Sequence, residues 1–380
     1  MYTKSQEQAL KALLNGESCF LTGKAGTGKS FILNEFCKLT KNKVVKLSST
    51  GISASNIGGQ TVHSFFSIFS PKYNQGNFVN SNKKLIFKLT DTFIIDECSM
   101  LTPNILDIIE DTLAKNTKYN LSDYQFVFCG DFKQLAPVVK ELDLRLKLIA
   151  DYGGLDLRSH EFFNSLPVYE LGEIVRCDNE EFNLELNKIR DGVETDYFDK
   201  FVSKDIREDS IILCPYNSQA EYYNTVELNK LEGKEFTNEA EVHNCNIADF
   251  QIELNLKLKD GCKVMFLIND YGLSNGMIGT FKLIDDKPYF LYQDQLFELY
   301  KEKFIKYEYV GRKDGTLGYT EVGCCTQYPV KPAYAITIHK SQGLTLDKVT
   351  LDLTKACFAD GQYYVALSRI KDPNNLTILK

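Results

Sequence analysis

Three stretches of this sequence carry residues whose types and spacing could do chemistry on a phosphate. The first, "FLTGKAGTGKSFIL" at positions 20–33, satisfies G-x-x-x-x-G-K-[ST] through Gly23, Gly28, Lys29 and Ser30. In such a loop Gly23, Lys24, Ala25, Gly26, Thr27 and Gly28 turn backbone N–H groups toward the phosphates, Lys29 bridges the outer ones, and Ser30 holds magnesium. The bland alternative is a glycine turn with an exposed lysine, but a strand-like run precedes the loop and a helix-like run follows it. The second stretch, "FIIDE", ends an apolar run on Asp96, which can hold the magnesium water shell, and Glu97, which can take a proton from an attacking water. Alone such a pair is usually a solvated turn; following a phosphate loop by two strands, it reads as the carboxylate pair of that site. The third, "FVFCGDFKQLAPV", repeats the arrangement with Gly130, Asp131 and Gln134 at the carboxyl edge of a strand, where parallel sheets bind ligands. Gln134 can hydrogen-bond the attacking water or the last phosphate; an ordinary polar loop is the competing reading.

These residues need a sheet to hold them. The first third alternates strand-like "SCFLT", "KVVKLSS", "DTFIIDE" and "YQFVFCGD" with helix-like segments, the βαβ pattern of a parallel sheet covered by helices. Ile32, Leu33, Phe36 and Leu39 recur at helical spacing and give the helix after the loop a buried face. A second series, "PVYELGE", "SIILCPYN", "AYAITIHKSQG" and "KVTLDL", predicts another α/β sheet from about residue 166. Residues 261–331 are dense in β-formers and turns and predict a small inserted β-barrel. The Asn-rich stretch 70–84 reads as a long excursion from the first domain. The expected fold is therefore α/β, with a first domain over 1–165 and a second over 166–380.

Composition narrows the class. Of 380 residues, 43% are hydrophobic and 25% charged, values of a globular protein, and no apolar run approaches a membrane span or a signal-peptide core. An intracellular protein is expected. The eleven cysteines include no C-x-x-C pair, so a zinc site is not expected and a reducing compartment is the simpler account. A net charge of −7 argues against a nucleic-acid partner on its own, yet a groove needs only local Lys and Arg, as in "KLTKNKVVK", "NKKLIFK" and "KEKFIK". Taken alone, such runs are more often solvated faces.

Nine landmarks in order give the chain a specific likeness: "SQEQAL", "GKAGTGKS", "SSTGISASNIGGQTVHSF", "IIDECSML", "GDFKQLAPV", "EIVRCDNEEFNLELNKIRDG", "LSNGMIG", "AYAITIHKSQGLTLDKV" and "GQYYVALSRI". From Gln6 to Arg369 it resembles the superfamily 1 DNA helicases of the PIF and RecD-like type, the branch that moves 5′ to 3′ on single-stranded DNA. The resemblance implies two RecA-like domains with an SH3-like β-barrel in the second and a small duplex-splitting wedge at about 65–90, where Tyr73 and Phe78 could stack on the terminal base pair. It implies ATP and Mg²⁺ as cofactors and single-stranded DNA and duplex junctions as partners, with no membrane and a monomer; RNA as the track is a rival reading that the sequence does not test. Gln6 would read the adenine edge. Gly343 joins the nucleotide contacts, while Arg176 and Arg369 would reach the γ-phosphate from the second domain, a task that suits a permanently charged fork. Thr50, Gly51, His63, Ser64, Asn275, His339, Lys340, Ser341 and Thr345 would grip the DNA backbone without reading bases. "VRC" and "LAPV" depart from many PIF-type relatives, so the subgroup stays open against RecD-like and phage-type kin. Two other functions compete: an ATP-gated single-strand binding module without unwinding, and a phosphotransferase using the same loop.

Overall fold

The computed structural model describes residues 2–24, 26–68, 75–172, 179–359 and 361–380, apart from the side chains at positions 52, 56 and 248. The chain divides into two compact units, Met1–Arg176 with Tyr307–Glu321, and Cys177–Lys306 with Val322–Lys380. Among the described residues, no helix is long and apolar enough to cross a membrane.

In the first unit β1 (Cys19–Gly23), β2 (Val44–Ser48), β3 (Gln60–Thr61), β4 (Thr92–Asp96), β5 (Gln125–Gly130) and β6 (Val168–Leu171) form one sheet in the order β3-β2-β4-β5-β1-β6. Every pairing is parallel. Central β4 and β5 are buried throughout, as parallel strands covered on both faces must be. Alternation sorts their side chains: Phe93, Ile95, Phe126 and Phe128 enter an aromatic core with Phe65, Phe66 and Phe87, while Ile94, Val127 and Cys129 enter the opposite core. That second core holds helices α1 (Lys4–Leu14) and α2 (Lys29–Leu39) through Leu13, Ile32, Leu33 and Phe36. Leu39, expected on the buried face, is 55% exposed at the end of α2. Short helices α3 (Gly51–Asn56) and α4 (Val62–Phe65) follow β2 and β3, α5 (Ser81–Leu89) precedes β4, and α6 (Asn104–Asn116) lies between β4 and β5.

Three sequence expectations are corrected in this unit. "PVYELGE" does not open the second sheet; its β6 pairs with β1, Phe20 opposite Val168 and Gly23 opposite Leu171, so the first unit runs past residue 165. The excursion expected over 70–84 ends at Asn80, whose side chain accepts from the Lys83 N–H at 2.9 Å and caps α5, while Ile86 and Phe87 bury in the aromatic core. Finally, residues 307–321, expected inside the second domain, belong to the first unit. There Tyr309 is buried, its hydroxyl accepts from the Lys46 backbone N–H at 2.7 Å, and its own N–H donates to Gln60 at 3.3 Å.

The segment expected as a wedge is tied to α6 where it is described. Gly76 N–H donates to Asp111, Asn77 N–H to Thr112, and Val79 N–H to Asn116, at 2.8, 3.2 and 3.1 Å. Phe78, within this strapped run, is 77% exposed. Tyr73 lies outside the described residues.

The second unit contains its own parallel sheet, with Ala335–Thr337, Ile211–Cys214, Val349–Asp352, Leu376–Leu379 and Val202–Ser203 side by side in that order. The β-rich insertion is an antiparallel sheet of Gln295–Glu298, Lys287–Tyr292, Ile278–Ile284, Lys263–Phe266 and Val330–Pro332. A ribbon of Glu235–Glu239 and Asn255–Lys259 shares its core through Leu256 and Leu258, so the insertion starts well before residue 261. The ladder leaves Gln295–Glu298 and Val330–Pro332 as edges of that sheet and does not itself close a barrel.

Candidate active site

The order β4-β5-β1 brings three chemistry-bearing strand ends together at one carboxyl edge, the side on which open parallel sheets bind ligands. β1 runs into the glycine loop and then α2. Gly28 caps α2 at φ 86°, a left-handed conformation that glycine adopts without strain, and a Cβ there would come within 2.8 Å of Gln6 Nε2. Lys29 folds over the loop, its ammonium donating to the carbonyls of Gly23 at 2.7 Å and Lys24 at 3.2 Å. Thr27 is buried and its hydroxyl donates to Lys24 O. Ser30, on the first turn of α2, is exposed. Ala25 lies outside the described residues.

Gln6 does more local work than the sequence reading gave it. Its Oε1 accepts from the Thr3 N–H at 3.1 Å, completing a capping box on α1, and its Nε2 donates to Thr27 O at 3.2 Å. The buried amide thus ties the start of α1 to the back of the phosphate loop.

At the end of β4, Asp96 is almost fully buried and Oδ1 accepts from the Glu97 N–H at 2.9 Å. Burial pushes its carboxyl above the usual range, against the pull of the Glu97 N–H, the Cys129 thiol and the Lys29 cation. In sequence Cys129 ends the apolar run "FVFC". Burial and the Asp96 charge push its thiol well up, so it stays protonated and serves as a donor to Asp96; an apolar strand context gives no sequence signal of this. Glu97 sits at φ 50°, uncommon for a non-glycine residue and of a kind that collects at functional sites.

β5 ends beneath this turn. A Cβ on Gly130 would come within 3.0 Å of Cys98 Sγ and 3.2 Å of the Cys98 nitrogen, so the glycine lets the turn after Glu97 lie directly on the strand. Gly130→Ala is expected to keep the fold, by far-UV circular dichroism, yet slow nucleotide hydrolysis about 10- to 100-fold by displacing Glu97. Asp131 and Gln134 are buried, and the Gln134 amide donates to Asp131 Oδ2 at 3.3 Å. With the NH₂ of Gln134 facing Asp131, the carbonyl end of the amide is the one that can orient a water.

The expected DNA contacts of the first unit follow the outer strands of the same edge. Thr50 caps α3, its Oγ1 accepting from the Ser53 N–H at 3.3 Å, and Gly51 is the first residue of that helix. His63 is exposed on α4, and the Ser64 N–H donates to Thr61 at 3.1 Å. In the second unit, Ala335–Thr337 leads into the turn carrying His339, Lys340, Ser341, Gly343 and Thr345. Lys340, Gly343 and Thr345 are exposed. Ser341 is a correction: it is fully buried and its hydroxyl donates to Ile338 O at 2.7 Å, so it shapes the turn rather than offering a surface contact. The "NGMIG" turn reaches this segment, since a Cβ on Gly276 would meet Leu344 at 2.8 Å, and Asn275 stands beside it with its N–H bonded to Asn269. Arg369 follows the helix Gln362–Leu367 and is 2% exposed, its guanidinium donating to Val365 O and Ser368 Oγ. Arg176 lies outside the described residues, and the unit boundary falls immediately after it rather than before it.

Comparison with known proteins agrees with this geometry. The family model described as PIF1-like helicase matches residues 1–194, and one described as Helicase matches residues 316–379. The ATP-dependent DNA helicase Pif1 of Campylobacter jejuni is 30% identical, over 97% of this chain and 90% of that protein. The human ATP-dependent DNA helicase PIF1 is also 30% identical, over 99% of this chain, which spans 60% of the human protein. Among solved structures, Pif1 from Bacteroides sp in complex with ADP-AlF4 matches with a TM-score of 0.88 at 29% identity, covering all of this chain and 92% of that one. The same protein bound to single-stranded DNA matches at 0.71 and 30%, with the same coverage.

Proposed function

This chain belongs to the PIF1-like helicase family, and from that premise we infer that it is an ATP-dependent DNA helicase that moves 5′ to 3′ on single-stranded DNA. The observation that carries the reading is the convergence of the phosphate loop, Lys29, Asp96 and Glu97 at one sheet edge. In this reading Lys29 exchanges its loop carbonyls for the outer phosphates, Glu97 takes the proton of the attacking water, and Gln134 orients that water. Gln6 has one N–H and one lone pair of its amide committed to Thr27 and Thr3, and the other pair suits an adenine edge. Arg369 serves the γ-phosphate.

Ser30 and Asp96 offer a hydroxyl and a carboxylate, hard oxygen donors that fit Mg²⁺, and among the described residues no cluster of three His, Cys, Asp or Glu offers a metal cage. Ser30 and Asp96 would hold a magnesium ion, which when bound would neutralise charge on the phosphates. Thr50, Gly51, His63, Ser64, Asn275, His339, Lys340 and Thr345 are assigned to the sugar–phosphate backbone, which makes binding sequence-tolerant and salt-dependent. Phe78, exposed on a strapped backbone, is assigned to the terminal base pair of a junction; opening one step costs about 1.4 kcal/mol, within reach of one stacking aromatic. A monomer suffices for this chemistry.

Steady-state hydrolysis, measured with and without oligo-dT, tests the reading. The expected result is sustained turnover stimulated by the single strand and abolished in Lys29→Ala. One turnover followed by standstill would favour an ATP-gated binding module, and equal stimulation by RNA would widen the track.

A further inference from the structure

His339 and Gln362 come from separate segments of the second unit and meet through one hydrogen bond, between Gln362 Nε2 and His339 Nδ1 at 3.3 Å. Gln362 is fully buried on the helix Gln362–Leu367. The way its amide faces is fixed by the backbone: Oε1 accepts from the N–H groups of Phe358 at 3.0 Å and Ala359 at 3.4 Å. Turning the amide over would set its NH₂ against two N–H donors in a fully buried place. Nε2 therefore faces the imidazole as a donor, and Nδ1 has to accept. A proton on Nδ1 would put two N–H groups head to head. The ring is also held flat against Phe358, with centroids 5.6 Å apart and planes 10° apart, and Phe358 in turn lies 5.2 Å from Tyr216.

We propose that Gln362 is a positioning residue for nucleic-acid binding: it holds His339 as the neutral tautomer protonated on Nε2, so that the imidazole offers one uncharged N–H donor to a phosphate or sugar oxygen. The proposal rests on the reading of His339 as a DNA contact. Burial lowers the tendency of His339 to take a second proton. Among the described residues, the ring stacks on Phe358 and bonds Gln362, both uncharged, and the charged group on its own turn is Lys340. A neutral donor has a mechanical consequence. Charge-assisted hydrogen bonds are about twice as strong as neutral ones, so a neutral imidazole gives a grip that a stepping protein can release, and one that does not vary with pH near neutrality.

The chain has four histidines, so imidazole ¹⁵N NMR on the full-length protein can resolve them, with His339→Asn identifying the resonance of interest. The expected spectrum, without nucleic acid, is that of the Nε2–H tautomer with a titration midpoint below that of an ordinary histidine. Gln362→Glu keeps an acceptor for the two backbone N–H groups and offers a carboxylate oxygen to Nδ1–H. It is expected to move the proton to Nδ1, to raise the midpoint by about 1 pH unit, and to give oligo-dT affinity that strengthens severalfold more than in the unaltered protein from pH 8 to pH 6. The unaltered protein's spectrum decides the tautomer whatever the stability of the variant, and an Nδ1-protonated His339 there overturns the proposal. The Nε2–H tautomer combined with oligo-dT affinity unmoved by either His339→Asn or Gln362→Glu also overturns it, removes His339 from the DNA path, and leaves the ATPase reading to its own tests.

Discussion

Glu97→Gln is expected to bind ATP and single-stranded DNA normally and to hydrolyse ATP about 10²- to 10⁴-fold more slowly, the range that a positioned general base contributes. The physical grounds are local. Glu97 leaves the buried end of β4 in a left-handed conformation, its N–H bonds Asp96, and the turn after it rests on Gly130. Glutamine has nearly the same shape, so it keeps the backbone and the Asp96 hydrogen bond while losing the negative charge and the ability to accept a proton. The loss should therefore fall on turnover and leave the ATP KM and oligo-dT affinity within a few fold. Parallel ATPase and filter-binding measurements check this. Turnover equal to that of the unaltered protein would transfer the role of base to another group.

Arg369→Ala is expected to lower DNA-stimulated hydrolysis by about 10³- to 10⁵-fold, the contribution of an arginine that stabilises charge on a transferring phosphoryl group. Arg369 is buried, with Nε 3.0 Å from Val365 O and Nη2 2.7 Å from Ser368 Oγ, so its guanidinium is aimed by the end of its own helix. Alanine removes donors from both of those oxygens. A thermal melt and a second variant, Arg369→Lys, therefore accompany it. Lysine keeps the charge and loses the planar fork, and it should recover stability while staying slow. A stable Arg369→Ala protein with unimpaired activity would favour phosphate transfer to a small molecule over a motor.

The chemistry was legible in the sequence because it depends on local order. A strand, a glycine loop and a helix are consecutive, and Asp96 and Glu97 end an apolar run, so the β1, β4 and β5 ends could be placed before the sheet order was known. What escaped the reading depends on distant partners. Nothing in "PVYELGE" says which sheet its edge will join, and Val168 at 61% exposed carries no burial pattern to decide it. The hairpin tip of 307–321 joins the first unit because Tyr309 finds the Lys46 N–H and the aromatic core, across more than 250 positions of sequence. α5 was hidden by polar residues at its start that serve as its cap. Gln6 and Ser341 have side chains suited to ligands, and each spends hydrogen bonds on its own backbone surroundings. Cys129 and Gln362 carry no local sequence signal of their partners, Asp96 and His339, which the fold brings to them.

The central claim is that hydrolysis at the β1–α2 loop drives movement along one strand in one direction. Its most direct test is unwinding of one duplex carrying either a 5′ or a 3′ single-stranded tail, with ATP, and with Lys29→Ala as the blank. Strand separation from the 5′-tailed substrate, little from the 3′-tailed one, and none with Lys29→Ala is the predicted result. Preference for the 3′ tail, or unwinding by Lys29→Ala at the unaltered rate, would contradict it.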